Sequence, residues 1–186
     1  MVSKALLLGL LAVAAATDIR RHRIYNWTTY PGILAALAIN ALGSVLVWTG
    51  QADEASLARW GWIGLGPSLA GFLVCGLVLV VCYVLLRVGG GDVKLMAMLG
   101  AFLGPDQGVE AMLWTFVLGG CLGLIVLVWR FGPLRVIASF GRHLLWALRL
   151  GRFQPLTPAE RAALQPPLFL APCALVAAAI VQFRLI

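Results

Sequence analysis

Charge is what this sequence lacks. Of its 186 residues only 11% are Asp, Glu, Lys or Arg, where soluble globular domains carry roughly a quarter. That excludes a domain whose outer surface faces water. It does not leave a disordered chain, because 62% of the residues are hydrophobic and disorder needs the opposite balance. Acids are the scarcer sign, seven against 14 bases, so chemistry resting on carboxylates has few candidates. Paired cysteine motifs are missing as well. Cys75, Cys82, Cys121 and Cys173 lie singly inside apolar runs, which argues against a zinc knuckle or a CxxC redox site and reads as small buried hydrophobes. Neither a metal nor a cofactor is expected.

What is present is apolar sequence in lengths that suit a bilayer. A membrane core about 30 Å thick is crossed by about 20 helical residues, and runs occur at 2–17, 30–49, 67–86, 93–104, 111–129 and 168–183. The first has Ala14-Ala15-Ala16 near its end, which mimics a signal-peptide cleavage site. The cluster Arg20-Arg21-His22-Arg23 that follows resists translocation, so the run reads as a retained span with its N-terminus outside. The fourth run is short. If it nevertheless crosses, 11 of the 14 bases, from Arg20 to Arg161, share one side and leave Lys4, Arg59 and Arg184 opposite. A re-entrant fourth run would break that positive-inside bias. The expectation is an all-α polytopic membrane protein, a single membrane-embedded domain over 1–186 with about six spans and both termini outside.

The connection 130–167 is the long cytoplasmic loop of that scheme. Within 134–153, Arg135, Arg142 and Arg149 recur every seven residues, which predicts an amphipathic helix lying in the headgroup region. Thr157-Pro158-Ala159-Glu160 has the spacing of a capping box with proline at the first helical position. The basic surplus is thereby absorbed by topology and anionic lipid, and no nucleic-acid partner is expected. His22 and His143, among arginines on the inner side, read as solvated or headgroup contacts.

The seven acids can be sorted one by one. Asp53, Glu54, Asp106 and Glu110 fall in outer loops, and Glu160 sits in its capping motif. Asp18 and Asp92 remain, at the cytoplasmic ends of the first and fourth spans. Ionisable groups at such boundaries are costly and warrant a functional reading. Two carboxylates facing each other there share a proton, so the charged member can activate water while the protonated member polarises a carbonyl. The plainer alternative is that each acid caps or ends a helix. Composition and topology leave both open.

The residues around these acids carry a resemblance. Asp18-Ile19-Arg20-Arg21-His22-Arg23-Ile24-Tyr25-Asn26 resembles the D-I-R-x-x-x-I-P-N signature of the type IV prepilin peptidases, membrane aspartyl proteases of the GxGD class. Gly89-Gly90-Gly91-Asp92-Val93-Lys94-Leu95 resembles their G-x-G-D-V-K-L. The resemblance implies Asp18 and Asp92 as the catalytic pair, Gly89 and Gly91 as the motif glycines, and Ile24, Asn26 and Lys94 as supporting residues. Tyr25 stands where the pattern has proline, losing a rigid turn but no reacting group. Longer members carry paired CxxC motifs that bind zinc, associated with N-methylation. Their absence resembles the short form found with Flp-type pili, and methylation is not expected.

The implied substrate is a prepilin or pseudopilin whose basic leader is cleaved at the cytoplasmic face of a bacterial or archaeal membrane. A preflagellin-type or other signal-processing aspartyl peptidase is the nearer alternative. A non-enzymatic membrane scaffold or small transporter is the alternative from another class.

Overall fold

The computed structural model describes residues 2–21, 23–86, 89–131 and 170–183. The described residues form α1 (Val2–Arg21), α2 (Asn26–Trp48), α3 (Glu54–Trp60), α4 (Leu65–Leu86), α5 (Gly90–Phe131) and α6 (Leu170–Phe183), with no strand among them. The expected helix at 134–153 and the capping motif at Thr157 lie outside the described residues. Two compact units are distinguished, one of Met1–Val117 with Phe169–Ile186 and one of Leu118–Leu168. The second is described over 118–131 only, where it is helical, with Leu122, Leu124, Ile125, Val126 and Trp129 exposed.

In the first unit α1, α2 and α4 each bury a narrow stripe and expose leucine and valine elsewhere. On α1 the stripe is Ser3, Leu7, Leu11, Ala14, Ala15 and Asp18, spaced by threes and fours as one helix face requires. On α4 it is Ser68, Gly71, Cys75 and Leu79, while Leu73, Leu77, Val81 and Val84 are exposed. Apolar faces of that extent suit lipid. Four helical stretches are long and apolar enough to cross a membrane: Val2–Arg21, Asn26–Trp48, Glu54–Leu85, which takes in α3 and α4, and Gly90–Trp129. Along α2, Trp27 and Trp48 are both exposed and lie about 32 Å apart at 1.5 Å per residue, the spacing of the two aromatic belts of a bilayer.

The fourth and fifth apolar runs, read as separate spans, belong to the one element α5. Its backbone leaves helical geometry at Gly104 (φ 80°, ψ −179°), a conformation only glycine adopts readily. A Cβ on Gly108 would lie 3.0 Å from the Gly100 Cα, whereas residues eight apart on a straight helix are about 12 Å apart. The element therefore folds back on itself at Gly104-Pro105, as the break between the two runs implied. The first arm, 90–103, is about 21 Å long, too short for a full crossing. Its residues from Leu95 to Leu103 are all buried, which is the environment of an all-round apolar helix. Shelter by neighbouring helices, rather than lipid, is what tolerates so short a segment. At its end, carbonyls lose their intrahelical donors, and the Ser68 hydroxyl donates to the Ala101 carbonyl at 2.7 Å.

Other boundaries shift for local reasons. α1 continues through Asp18 to Arg21, so Asp18 is helical rather than beyond the span. α2 begins at Asn26, four residues earlier than expected. α3, not foreseen, ends at Gly61 in the left-handed region (φ 92°), a standard glycine stop. Asp106 and Glu110, expected in a loop, are exposed residues of α5. The turn after α3 is tied to α2 by buried Asn40, whose Oδ1 accepts the Ile63 N–H at 3.0 Å and whose carbonyl accepts Trp62 Nε1 at 3.1 Å.

α6 packs along α1, its Ala171, Ala174, Ala177 and Ala178 buried, the small side chains that close helix approach in membranes favours. Ala171 meets Asp18, and α1 has only three residues beyond that point. To pack along α1, α6 must therefore run back antiparallel to it.

Candidate active site

Asp18 and Asp92 belong to different elements, one in the last turn of α1 and the other in the first turn of α5. The fold brings them within electrostatic reach of each other. Asp18 is 7% exposed, and its Oδ2 accepts the backbone N–H of Ala171 at 3.2 Å. The field of its carboxylate also reaches the buried Cys173 thiol.

Asp92 is held by the start of its own helix. Its N–H donates to the Gly89 carbonyl at 3.0 Å, which sets Gly89 as the cap and Asp92 as the third helical residue. From there the carboxylate reaches back toward the Gly89 N–H, the reciprocal half of a capping box. A Cβ on Gly89 would stand 2.9 Å from Asp92 Oδ2, so glycine at 89 leaves the carboxylate its place.

The remaining motif residues pair across the same seam. A Cβ on Gly91 would lie 3.1 Å from the Ile24 Cβ, so glycine admits the connection between α1 and α2 close against the start of α5. Lys94 Nζ donates to Asn26 Oδ1 at 2.8 Å and lies 4.7 Å from the centre of the Tyr30 ring, within cation–π range. The two stretches thus come together where Ile24 stands against Gly91 and Asn26 binds Lys94, with Asp18 and Asp92 within electrostatic reach of each other. Tyr25 takes φ −83° and ψ 139° as the residue before α2, close to the backbone that proline imposes. Its hydroxyl accepts Arg21 Nη1 at 3.2 Å, so the corner keeps proline-like geometry without proline.

Three contributors were not among the sequence candidates. Tyr30 stands four residues after Asn26, hence on the same face of α2, and helical spacing alone pointed to it. Cys173 and the N–H of Ala171 reach the site from α6, and no local pattern marks them. Among the described residues no group of three or more His, Cys, Asp or Glu has the proximity to hold a metal.

A polytopic helical protein with two carboxylates from separate helices, within electrostatic reach of each other at the ends of apolar segments, defines the class. The comparison with known families makes it particular: the model of the type IV leader peptidase family matches residues 5–124, and the chain belongs to that family, which makes it a peptidase. The matched stretch contains Asp18 and Asp92 and stops short of α6. No curated protein and no solved structure gives a significant match.

Proposed function

We propose that this chain is a membrane aspartic endopeptidase that removes the basic leader from type IV prepilins or pseudopilins of the Flp-like kind at the cytoplasmic membrane face. The observation that carries the reading is that Asp18 and Asp92 lie within electrostatic reach of each other, flanked by the Ile24–Gly91 and Asn26–Lys94 contacts. The leader would lie in the cytoplasm and the hydrophobic helix of the substrate in the bilayer, with the scissile bond between them at the boundary where the acids stand. One ionised carboxylate takes a proton from water as the water oxygen attacks the peptide carbonyl carbon. The protonated partner donates to the carbonyl oxygen, and collapse of the tetrahedral intermediate breaks the C–N bond while the leaving amine takes up a proton. Two acids suffice because proximity lets them hold one proton between them. Gly89 and Gly91 give the site its open backbone, and Lys94 with Asn26 locks α2 to α5.

The test is co-expression of an epitope-tagged prepilin with Asp18→Asn or Asp92→Asn in a host without another such peptidase. Unprocessed precursor is expected with either variant, each present at wild-type level in the membrane. Processing retained by either one would remove the dyad. A scaffold or transporter would tolerate both substitutions without any change in the pilin.

A further inference from the structure

α6 lies beyond the family match at 5–124, yet it reaches the candidate site. Ala171 is the second residue of α6, where N–H groups have no acceptor within the helix. Its N–H is directed to Asp18 Oδ2 at 3.2 Å, and the next residue, Pro172, has no N–H to offer. Asp18 needs such a donor more than an ordinary surface acid. It is buried and stands in the last turn of α1, where the helix's own carbonyls oppose a negative charge. The start of α6 presents the opposite end of a helix dipole to the same carboxylate.

We propose that α6 is a working part of the peptidase: through the Ala171 N–H it positions the Asp18 carboxylate and extends to lower pH the range in which the Asp18–Asp92 pair keeps one charge. The inference rests on reading those two acids as the dyad. Titratable groups within electrostatic reach of Asp18 include Asp92 from α5 and Cys173 from α6. Arg20 and Arg21 on its own helix are exposed, and Tyr30 of α2 lies under Lys94. An N–H donated to a carboxylate favours its ionised form. Removing that donor raises the pH at which the pair gains its first charge, and the acid limb of the activity profile moves up with it.

The experiment replaces the residue 171 amide by an ester, using the hydroxy-acid analogue of alanine, which deletes the N–H and leaves the side chain intact. Ala171→Pro deletes the same donor within a first turn that tolerates proline, and Ala171→Gly keeps it as the control. The full-length enzyme, reconstituted in liposomes, is assayed for kcat/KM on a prepilin as a function of pH. The ester and proline variants should shift the acid limb upward by about one pH unit, lowering cleavage about tenfold below the limb, while the glycine variant keeps the wild-type limb. A limb that stays in place in the ester variant overturns the inference, even where activity falls uniformly at all pH values, because that is a structural loss alone. If Asp18→Asn and Asp92→Asn abolish cleavage in the same assay, such a result removes the role of α6 and not the dyad.

Discussion

At the contact between Gly91 and Ile24 a methyl group fits only if its neighbour gives way by a few tenths of an ångström. A Cβ on Gly91 would stand 3.1 Å from Cβ of Ile24, and since every residue but glycine has a Cβ, no smaller side chain at 24 except glycine relieves it. Gly91→Ala should therefore cost about 1–2 kcal/mol by overpacking and reduce prepilin processing severalfold or more. Gly9 on α1 has nothing within 4 Å of a Cβ, so Gly9→Ala should leave processing unchanged and hold or raise stability by about 0.5–1 kcal/mol. Immunoblots of processed pilin and melting in detergent check both. Lys94→Met loses the bond to Asn26 and the contact with Tyr30, together worth about 1–2 kcal/mol. Adding Asn26→Ala to it should lower processing little further, because the two share one interaction. Much at this scale was legible. With seven acids in the chain, Asp18 and Asp92 stood out by elimination, and the motif resemblance brought in Ile24, Asn26, Gly89, Gly91 and Lys94. Which of these touch was not legible, since partners 68 residues apart, as Asn26 and Lys94 are, leave no local trace.

Among the elements, the folded-back α5 sits against α4 at one close approach, between Gly71 and Gly100. A Cβ on Gly71 of α4 would collide with the Gly100 carbonyl, and one on Gly100 with the Gly71 backbone. Neither backbone can yield without parting the helices. Gly71→Ala should lower thermal stability by several degrees and reduce the amount of enzyme in the membrane, whereas Gly66→Ala on the same helix, in open space, should do neither. Ser68→Ala removes the donor to the Ala101 carbonyl in a fully buried place, a loss of about 1–3 kcal/mol. Its signature is lower melting in detergent with kcat/KM unchanged for the folded fraction. The sequence showed two separate runs, 93–104 and 111–129, and the shortness of the first, but not that the interruption is confined to Gly104. It did not show why a short helix is tolerated, because burial on every side is a property of the neighbours. α3 escaped notice because its seven residues are too few for an apolar period to register.

For the molecule as a whole, the charge distribution predicts an orientation of the helices, and orientation is open to direct measurement. Single cysteines at the exposed positions Arg23 and Gln51, with the exposed Cys121 replaced, should differ in reach of a membrane-impermeant maleimide. Position 51 is expected to react in intact cells and position 23 only after permeabilisation. The reverse pattern would overturn the proposed sidedness of the site. Six crossings were read from the runs, and four helices have the length and hydropathy for a crossing on their own. The difference lies in the short first arm of α5 and in the 14-residue α6, whose depth is decided by packing rather than by length. The pairing of α1 with α6 also has a consequence in time. Asp18 and its N–H donor are separated by 153 residues of chain. At about 5–20 residues per second of synthesis, Asp92 leaves the ribosome several seconds or more ahead of Ala171. For that interval a nascent chain carries both acids without the last helix, so the proposed dyad is synthesised before the proposed support exists.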